Sequence, residues 1–326
     1  MKNKRLSQVW SASSIIVQSK GLEMQFAWLF AMIVGAVILI FAVVSVLKIT
    51  ETQNTAIDAA TAKEIGVLLN PLEIGFESAK TTTLVLPKET RIYNNCTTNP
   101  GFGKQTIRLS QKNFNQWSET DVDVGFENKY IFSESAIEGR KFLIFSKPFE
   151  FPYKVSDLIF LTSSDKKYCF LNPPDDISAE LTNLGQENII LDIILDSCPA
   201  DSVKVCFSGS SEICDISVSS NSVRKNSEEM FFENNALMYA AIFSSPELYE
   251  CQFKRLMKRD SQLALLYSDK AEIVSANGCS TNLGGDLSVL SGTLDSVDES
   301  TDINSFVVEE INEINDRNEV SNCRLW

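Results

Sequence analysis

Residues 26–47 read FAWLFAMIVGAVILIFAVVSVL, 22 positions without a charged side chain. At a rise of about 1.5 Å per residue, a helix of this length crosses the roughly 30 Å hydrocarbon layer of a bilayer with some tilt. Only Gly35 and Ser45 interrupt the apolar character, and membrane helices tolerate both residue types. A core helix of a globular domain would show a polar stripe, and this one shows none. Trp28 stands near one end, where an indole prefers the interface. The run therefore divides the chain into an anchor and what the anchor holds.

Lys2, Lys4, Arg5 and Lys20 precede the run. Positive residues stay inside, which predicts a cytoplasmic N-terminus and an exported remainder. Lys48 lies on the outer side and can snorkel to the interface. A cleaved secretory signal is the competing reading, but its apolar core runs only about 7–15 residues and ends in a small-x-small cleavage site. This run is longer and no such site follows it directly, so retention is expected. Met1 to Ile49 carries a net +4 within a chain of −14, leaving −18 on the residues from Thr50 onward. So acidic a region repels nucleic-acid phosphate and anionic headgroups. The expected partner is the lipid bilayer, through Phe26–Leu47, with a protein partner or self-assembly outside it and no nucleic acid.

The eight cysteines are Cys96, Cys169, Cys198, Cys206, Cys214, Cys251, Cys279 and Cys323, all beyond the apolar run. An even number confined to one side of an anchor reads as disulfides in an oxidising compartment. Metal binding is the rival reading. There is no C-x-x-C, and the spacing of Cys198, Cys206 and Cys214 is not that of a zinc knuckle. Spacing alone does not choose among the pairings. The chain has no histidine. That removes Ser-His-Asp and Cys-His catalysis and every His-ligated metal or haem site.

Beyond the anchor the pattern predicts an α+β fold: a disulfide-stapled ectodomain with a β-rich first part, a β-α-β unit and a helical C-terminal part. The expected segments are 1–25 cytoplasmic and basic, 26–47 transmembrane, 48–70 a juxtamembrane helix or stalk, 71–220 β-rich and 221–326 α-helical. Thr81–Leu86, Thr90–Tyr93 and Thr106–Ser110 read as strands, with Asn94–Lys104 as a hairpin loop. Asn95-Cys96-Thr97 is the one N-x-S/T sequon and makes Asn95 a glycosylation candidate in an exported domain. Tyr130–Phe132, Lys141–Ser146 and Leu158–Leu161 are further strands. The aromatic, proline-rich stretch Phe145–Tyr153 reads as an edge strand or ordered loop with its rings inward, or as an exposed binding rim. Tyr168–Leu171, a helix over Ile177–Leu184, and strands at Ile189–Leu195 and Val203–Phe207 follow.

Ser245-Pro246-Glu247 is a helix start, with its N-cap, its first-turn proline and its acid in order. Lys254, Arg255, Lys258 and Arg259 on that helix form a basic patch. It is expected to be a solvated face paired locally with Glu247, Glu250 and Asp260, or else a dock for an acidic partner. Leu287–Val297 and Asn304–Ile314 read as further helices, and Cys251, Cys279 and Cys323 are expected to tie this helical region together. Cys323-Arg-Leu-Trp326 reads as a pinned end. Neither G-x-G-x-x-G nor a P-loop is present. Acid pairs stand at Asp121/Asp123, Asp175/Asp176 and Glu309/Glu310 and read as solvated surface groups. Asp121-Val-Asp123 could contribute to a calcium site but lacks the calcium-loop pattern, and carboxylate catalysis is only a distant reading. No catalytic, cofactor or metal residue is expected, and no enzyme activity.

Ser19-Lys20-Gly21-Leu22-Glu23-Met24-Gln25-Phe26 resembles the processing site of type IV prepilins and archaeal class III signal peptides. That resemblance implies cleavage between Gly21 and Leu22 and an apolar helix that serves assembly. The match departs from the family in one respect: the family's glutamate is the fifth mature residue, whereas Glu23 would be the second. The plain alternative is an uncleaved signal-anchor. The block Lys20–Ala42, with SKPFEFPYKVSDLIF and FSSPELYECQFKRLM, resembles single-pass membrane proteins of small-genome symbiotic archaea, the DPANN group. This implies an archaeal cell envelope and imports no activity. The function expected is therefore a membrane-anchored cell-surface protein with a structural or interaction ectodomain. The alternative is a pilin-like filament subunit.

Overall fold

The computed structural model describes residues 28–49, 80–113, 116–117, 123–192, 197–207, 214–279, 281–303 and 305–326. By its contacts the chain divides into two units, residues 1–53 and 54–326. In the first, helix α1 spans Trp28–Ile49 and every side chain on it is exposed. Its length and composition suffice to cross a membrane. The basic segment 1–25, the processing position Gly21-Leu22, and the expected stalk other than Lys48 and Ile49 lie outside the described residues.

In the second unit the strands come first. They are β1 (Lys80–Thr97), β2 (Lys104–Asn113), β3 (Gln116–Trp117), β4 (Val124–Phe126), β5 (Tyr130–Phe132), β6 (Ala136–Glu150) and β7 (Lys154–Ser163). They form one sheet in the order β3-β2-β1-β6-β7-β5, with β4 also on β2. The two strands expected at Thr81–Leu86 and Thr90–Tyr93 are one long strand, whose pairing with β6 shifts register between Val85 and Thr90. Pro87 falls in that interval and has no N–H to give the ladder. The hairpin loop is shorter than expected, since β1 and β2 pair out to Thr97 and Lys104. Gly103 closes it at φ +69°, where a Cβ would stand 2.1 Å from the Thr97 carbonyl oxygen.

Alternation along the central strands separates two cores. Tyr130, Phe132, Phe145, Phe149, Leu158 and Phe160 face a large core shared with the helices. Ile131, Phe142, Ile144, Ile159 and Leu161 face a second, largely aliphatic one. This is the period of two of a pleated strand, with both faces buried. Phe145, Phe149, Phe151 and Tyr153 are all buried, so the aromatic stretch packs inward rather than forming an exposed rim, and Phe151 alone of these four is among the lining of the cavity at Phe253 and Met257. Each such ring contributes roughly 1.5–3 kcal/mol.

The second sheet holds β8 (Tyr168–Leu171), β9 (Ile189–Asp192), β10 (Val203–Phe207), β11 (Ile216–Val218), β12 (Ser222–Lys225) and β13 (Glu228–Phe231). Its order is β13-β12-β11-β10-β8-β9. Helix α2 (Asp175–Leu184) joins β8 to its parallel neighbour β9. Two strands thus continue past residue 220, and the boundary expected there between β-rich and helical parts is displaced. The helices begin with α3 (Asn235–Phe243), followed by α4 (Pro246–Ala276), α5 (Gly284–Asp295) and α6 (Ser305–Glu319). The large core runs from strand residues such as Tyr168 to Leu325, so the strand and helix regions share one interior.

The eight cysteines form four disulfides: Cys96–Cys251, Cys169–Cys198, Cys206–Cys214 and Cys279–Cys323. Cys251 does not tie the helical region to itself. It binds α4 to β1, because the hairpin lies against that helix. The C-terminus is pinned as expected. Asn318 accepts from the Leu325 N–H at 2.7 Å, and Trp326 packs edge-on to Tyr153 and Tyr267 at 5.3 and 5.4 Å.

Asp260 on α4 is fully buried, and neither of its carboxyl oxygens has a hydrogen-bond partner among the described residues. Burial pushes its carboxyl well above the usual range, with the Tyr153 hydroxyl acting weakly the other way. The folded chain therefore holds a proton that the unfolded chain releases. This contribution is complete below a pH of about 4 and is lost as pH rises. Asp260→Asn should leave stability near pH 4 almost unchanged and raise it at pH 8 by more than about 1 kcal/mol. Thermal unfolding at both values checks this, and equal effects at the two would refute it.

Candidate functional site

Helix α4 organises the polar interior. Its basic residues do not form the expected solvated face. Arg255 is fully buried. It donates to the carbonyls of Phe102 (3.1 Å), Lys129 (3.0 Å) and Glu127 (2.7 Å), and to the Gln252 side chain (2.6 Å). Its guanidinium lies 4.8 Å from the Tyr130 ring centroid, and burial draws its pKa down. Lys258 reaches the Thr98 carbonyl at 2.9 Å, Arg259 reaches that of Val155 at 2.8 Å, and Lys254 pairs with Asp298. Loop carbonyls accept Arg255 and Lys258, the Val155 carbonyl of β7 accepts Arg259 and the Asp298 carboxylate takes Lys254, so these cations are engaged away from Glu247, Glu250 and Asp260.

The network continues into the first sheet. The Gln105 side chain accepts from the Ile131 N–H at 2.9 Å and donates to its carbonyl at 2.8 Å. It therefore stands in for a strand beside β5. Asn94 donates to the same carbonyl at 3.0 Å. A second buried tie joins the two sheets. Lys225 of β12 binds Glu134 at 3.1 Å and the Ile242 and Ser244 carbonyls at the end of α3. The positive neighbours Lys225 and Lys166 hold the Glu134 carboxyl down against its desolvation.

Phe253 and Met257, one turn apart on α4, present a different face. They floor a cavity of about 350 Å³. Leu237 of α3 and Phe231, Phe232 and Glu233 at the end of β13 form one wall. Ile303, Ser305, Val308, Glu309 and Asn312, at and beyond the start of α6, form the other. Glu250 fastens the two. Its carboxylate accepts from the Ser300 N–H at 2.7 Å and hydroxyl at 2.6 Å, while Ser300 Oγ accepts from the Phe231 N–H at 2.9 Å. The Tyr249 hydroxyl donates to the Phe231 carbonyl. Asn234 caps α3 by accepting from the Leu237 N–H at 3.1 Å. Walls held this way keep the cavity open without a ligand. Glu233 and Glu309 are exposed at the rim, and partial burial pushes the Glu233 carboxyl up.

A second hollow, of about 820 Å³, lies beyond the carboxyl ends of β8, β10 and β11 and is lined in part by Asn172, Phe207 and Ser219. Its charged groups bind each other: Glu229 accepts from Ser222 at 2.7 Å and pairs with Arg224 at 3.5 Å.

Of the residues singled out in the sequence, Asn95 is exposed, but it lies within β1 opposite Thr106 rather than in a loop. Asp175 and Asp176 stand exposed in the first turn of α2. Asp123 lies 4.0 Å from Arg108, and Asp121 is outside the described residues. Glu309, of the last acid pair, lines the cavity. The groove was not read from the sequence, because its lining is spread from Phe151 to Asn312. No family model, curated protein or solved structure matches the chain.

Proposed function

We propose that this chain is a membrane-anchored exported protein that acts by binding or by structural association rather than by catalysis. One observation carries the reading: every cysteine lies in a disulfide and beyond α1. Reducing compartments do not sustain such a pattern, whereas the outer side of a membrane does. The basic flank at residues 2–20 orients α1 with its N-terminus inside. The groove beside α4 is the concave surface such a domain would use.

Alkylation of the denatured chain without reduction, read by mass spectrometry, should modify none of the eight cysteines. Protease added to intact cells should remove the domain beyond α1. Free thiols, or protection of that domain while the outer face is accessible, would overturn the proposal. The flank Lys20-Gly21-Leu22 favours one further reading, a pilin-like subunit. Mass spectrometry of the native N-terminus separates the two, since a chain beginning at Leu22 supports filament assembly and an intact Met1 excludes it.

A further inference from the structure

We propose that the groove beside α4 binds small organic cations, molecules that join an apolar body to an ammonium group. This goes beyond the placement of the chain and does not depend on it. At about 350 Å³ the cavity accepts a body the size of one aromatic ring and a short alkyl chain, within the roughly 300–1,000 Å³ usual for ligand sites. Leu237, Phe253 and Met257 make its base apolar. Phenylalanine rings offer their negative faces to a cation. Glu233 and Glu309 mark where the charge would sit. Both line the opening, and neither enters an ion pair among the described residues.

Asn312 and Ser305 add polar groups with no side-chain partner among the described residues. An anionic amphiphile would meet two carboxylates in a chain of net charge −14, which disfavours it. Desolvation already strains the Glu233 carboxylate, and an ammonium beside it would relieve that strain. Affinity should therefore rise with pH as Glu233 loses its proton.

The test uses the full chain in nanodiscs of zwitterionic lipid, with empty discs as the blank. Calorimetry compares 2-phenylethylammonium, 2-phenylethanol and 3-phenylpropanoate, which share one apolar body. The ammonium should bind at about 1 mM or tighter and at least about tenfold more tightly than the propanoate. In E233Q/E309Q the ammonium should lose about tenfold in affinity while 2-phenylethanol is unchanged. Val308→Trp, which fills the groove, should abolish binding of all three. Equal binding of the propanoate, an unaltered ammonium affinity in E233Q/E309Q, or no ammonium binding at all would overturn the proposal. If the double variant unfolds, E309Q, exposed on α6, carries the same comparison. Protease accessibility and alkylation are unaffected by these outcomes, so failure here is distinct from failure of the export reading.

Discussion

Arg255→Leu should destabilise the domain by about 2–4 kcal/mol, the cost of removing the donor from two buried hydrogen bonds and two part-buried ones. The substitution leaves the carbonyls of Phe102, Glu127 and Lys129, and the Gln252 side chain, without the donor that now satisfies them. Losing a buried bond such as those to Lys129 and Gln252 costs roughly 1–3 kcal/mol, those to Phe102 and Glu127 are part-buried and cost less, and leucine avoids the desolvation of the guanidinium. Arg255→Lys should recover little, because one ammonium cannot reach acceptors spread around a planar fork. Denaturant unfolding followed by far-UV circular dichroism measures the loss. A Tm fall of about 10 °C corresponds to the middle of the range. A change under about 1 kcal/mol in Arg255→Leu would show that Arg255 is dispensable and that α4 docks by apolar contact alone.

The second large effect is expected at Cys96–Cys251. The two cysteines are 155 residues apart in sequence, against 8 for Cys206–Cys214. On the chain-entropy account, opening the long loop costs about 5 kcal/mol and opening the short one about 2.5 kcal/mol. The double replacement Cys96→Ala/Cys251→Ala should therefore lower stability about twice as much as Cys206→Ala/Cys214→Ala. It also removes the covalent tie between β1 and the helix that carries Arg255, so the two losses should not add. Equal losses in the two double variants would mean that unfolded-state entropy is not the source of the stabilisation. The three remaining disulfides make each variant testable without reduction of the rest.

Much of the fold was legible because its local signals are periodic. Tyr130–Phe132, Tyr168–Leu171 and Val203–Phe207 match β5, β8 and β10 in their limits, since short apolar runs bounded by turn residues admit little else. The start of α4 at Pro246 was legible from its cap and its proline. The reading failed where a residue's partner is remote. Of Lys254, Arg255, Lys258 and Arg259, only Lys254 has an acid at helical spacing, Glu250 four residues before it, which favours a local pair; for the other three the reading took acids near in sequence for partners. Apart from Gln252, which Arg255 meets three residues away, their partners are 44 to 160 residues away. Cys251 was grouped with its sequence neighbours for the same reason. The strands at Ser222–Phe231 were missed because charged and serine residues interrupt a hairpin that the rest of its sheet holds in place.

By itself the sequence determined three things: an apolar helix of membrane-spanning length, the confinement of every cysteine to one side of it, and a mixed α and β character beyond it. Each depends on residues adjacent in the chain or on composition, where hydrophobic periodicity and charge act directly. Tertiary structure alone decided the disulfide pairing, the burial of Arg255 and Asp260, and the groove. Those depend on which segments meet in space. Phe253 and Met257 line a cavity only because β13 and the start of α6 are fastened across them by Glu250 and Ser300, and no local pattern encodes that closure.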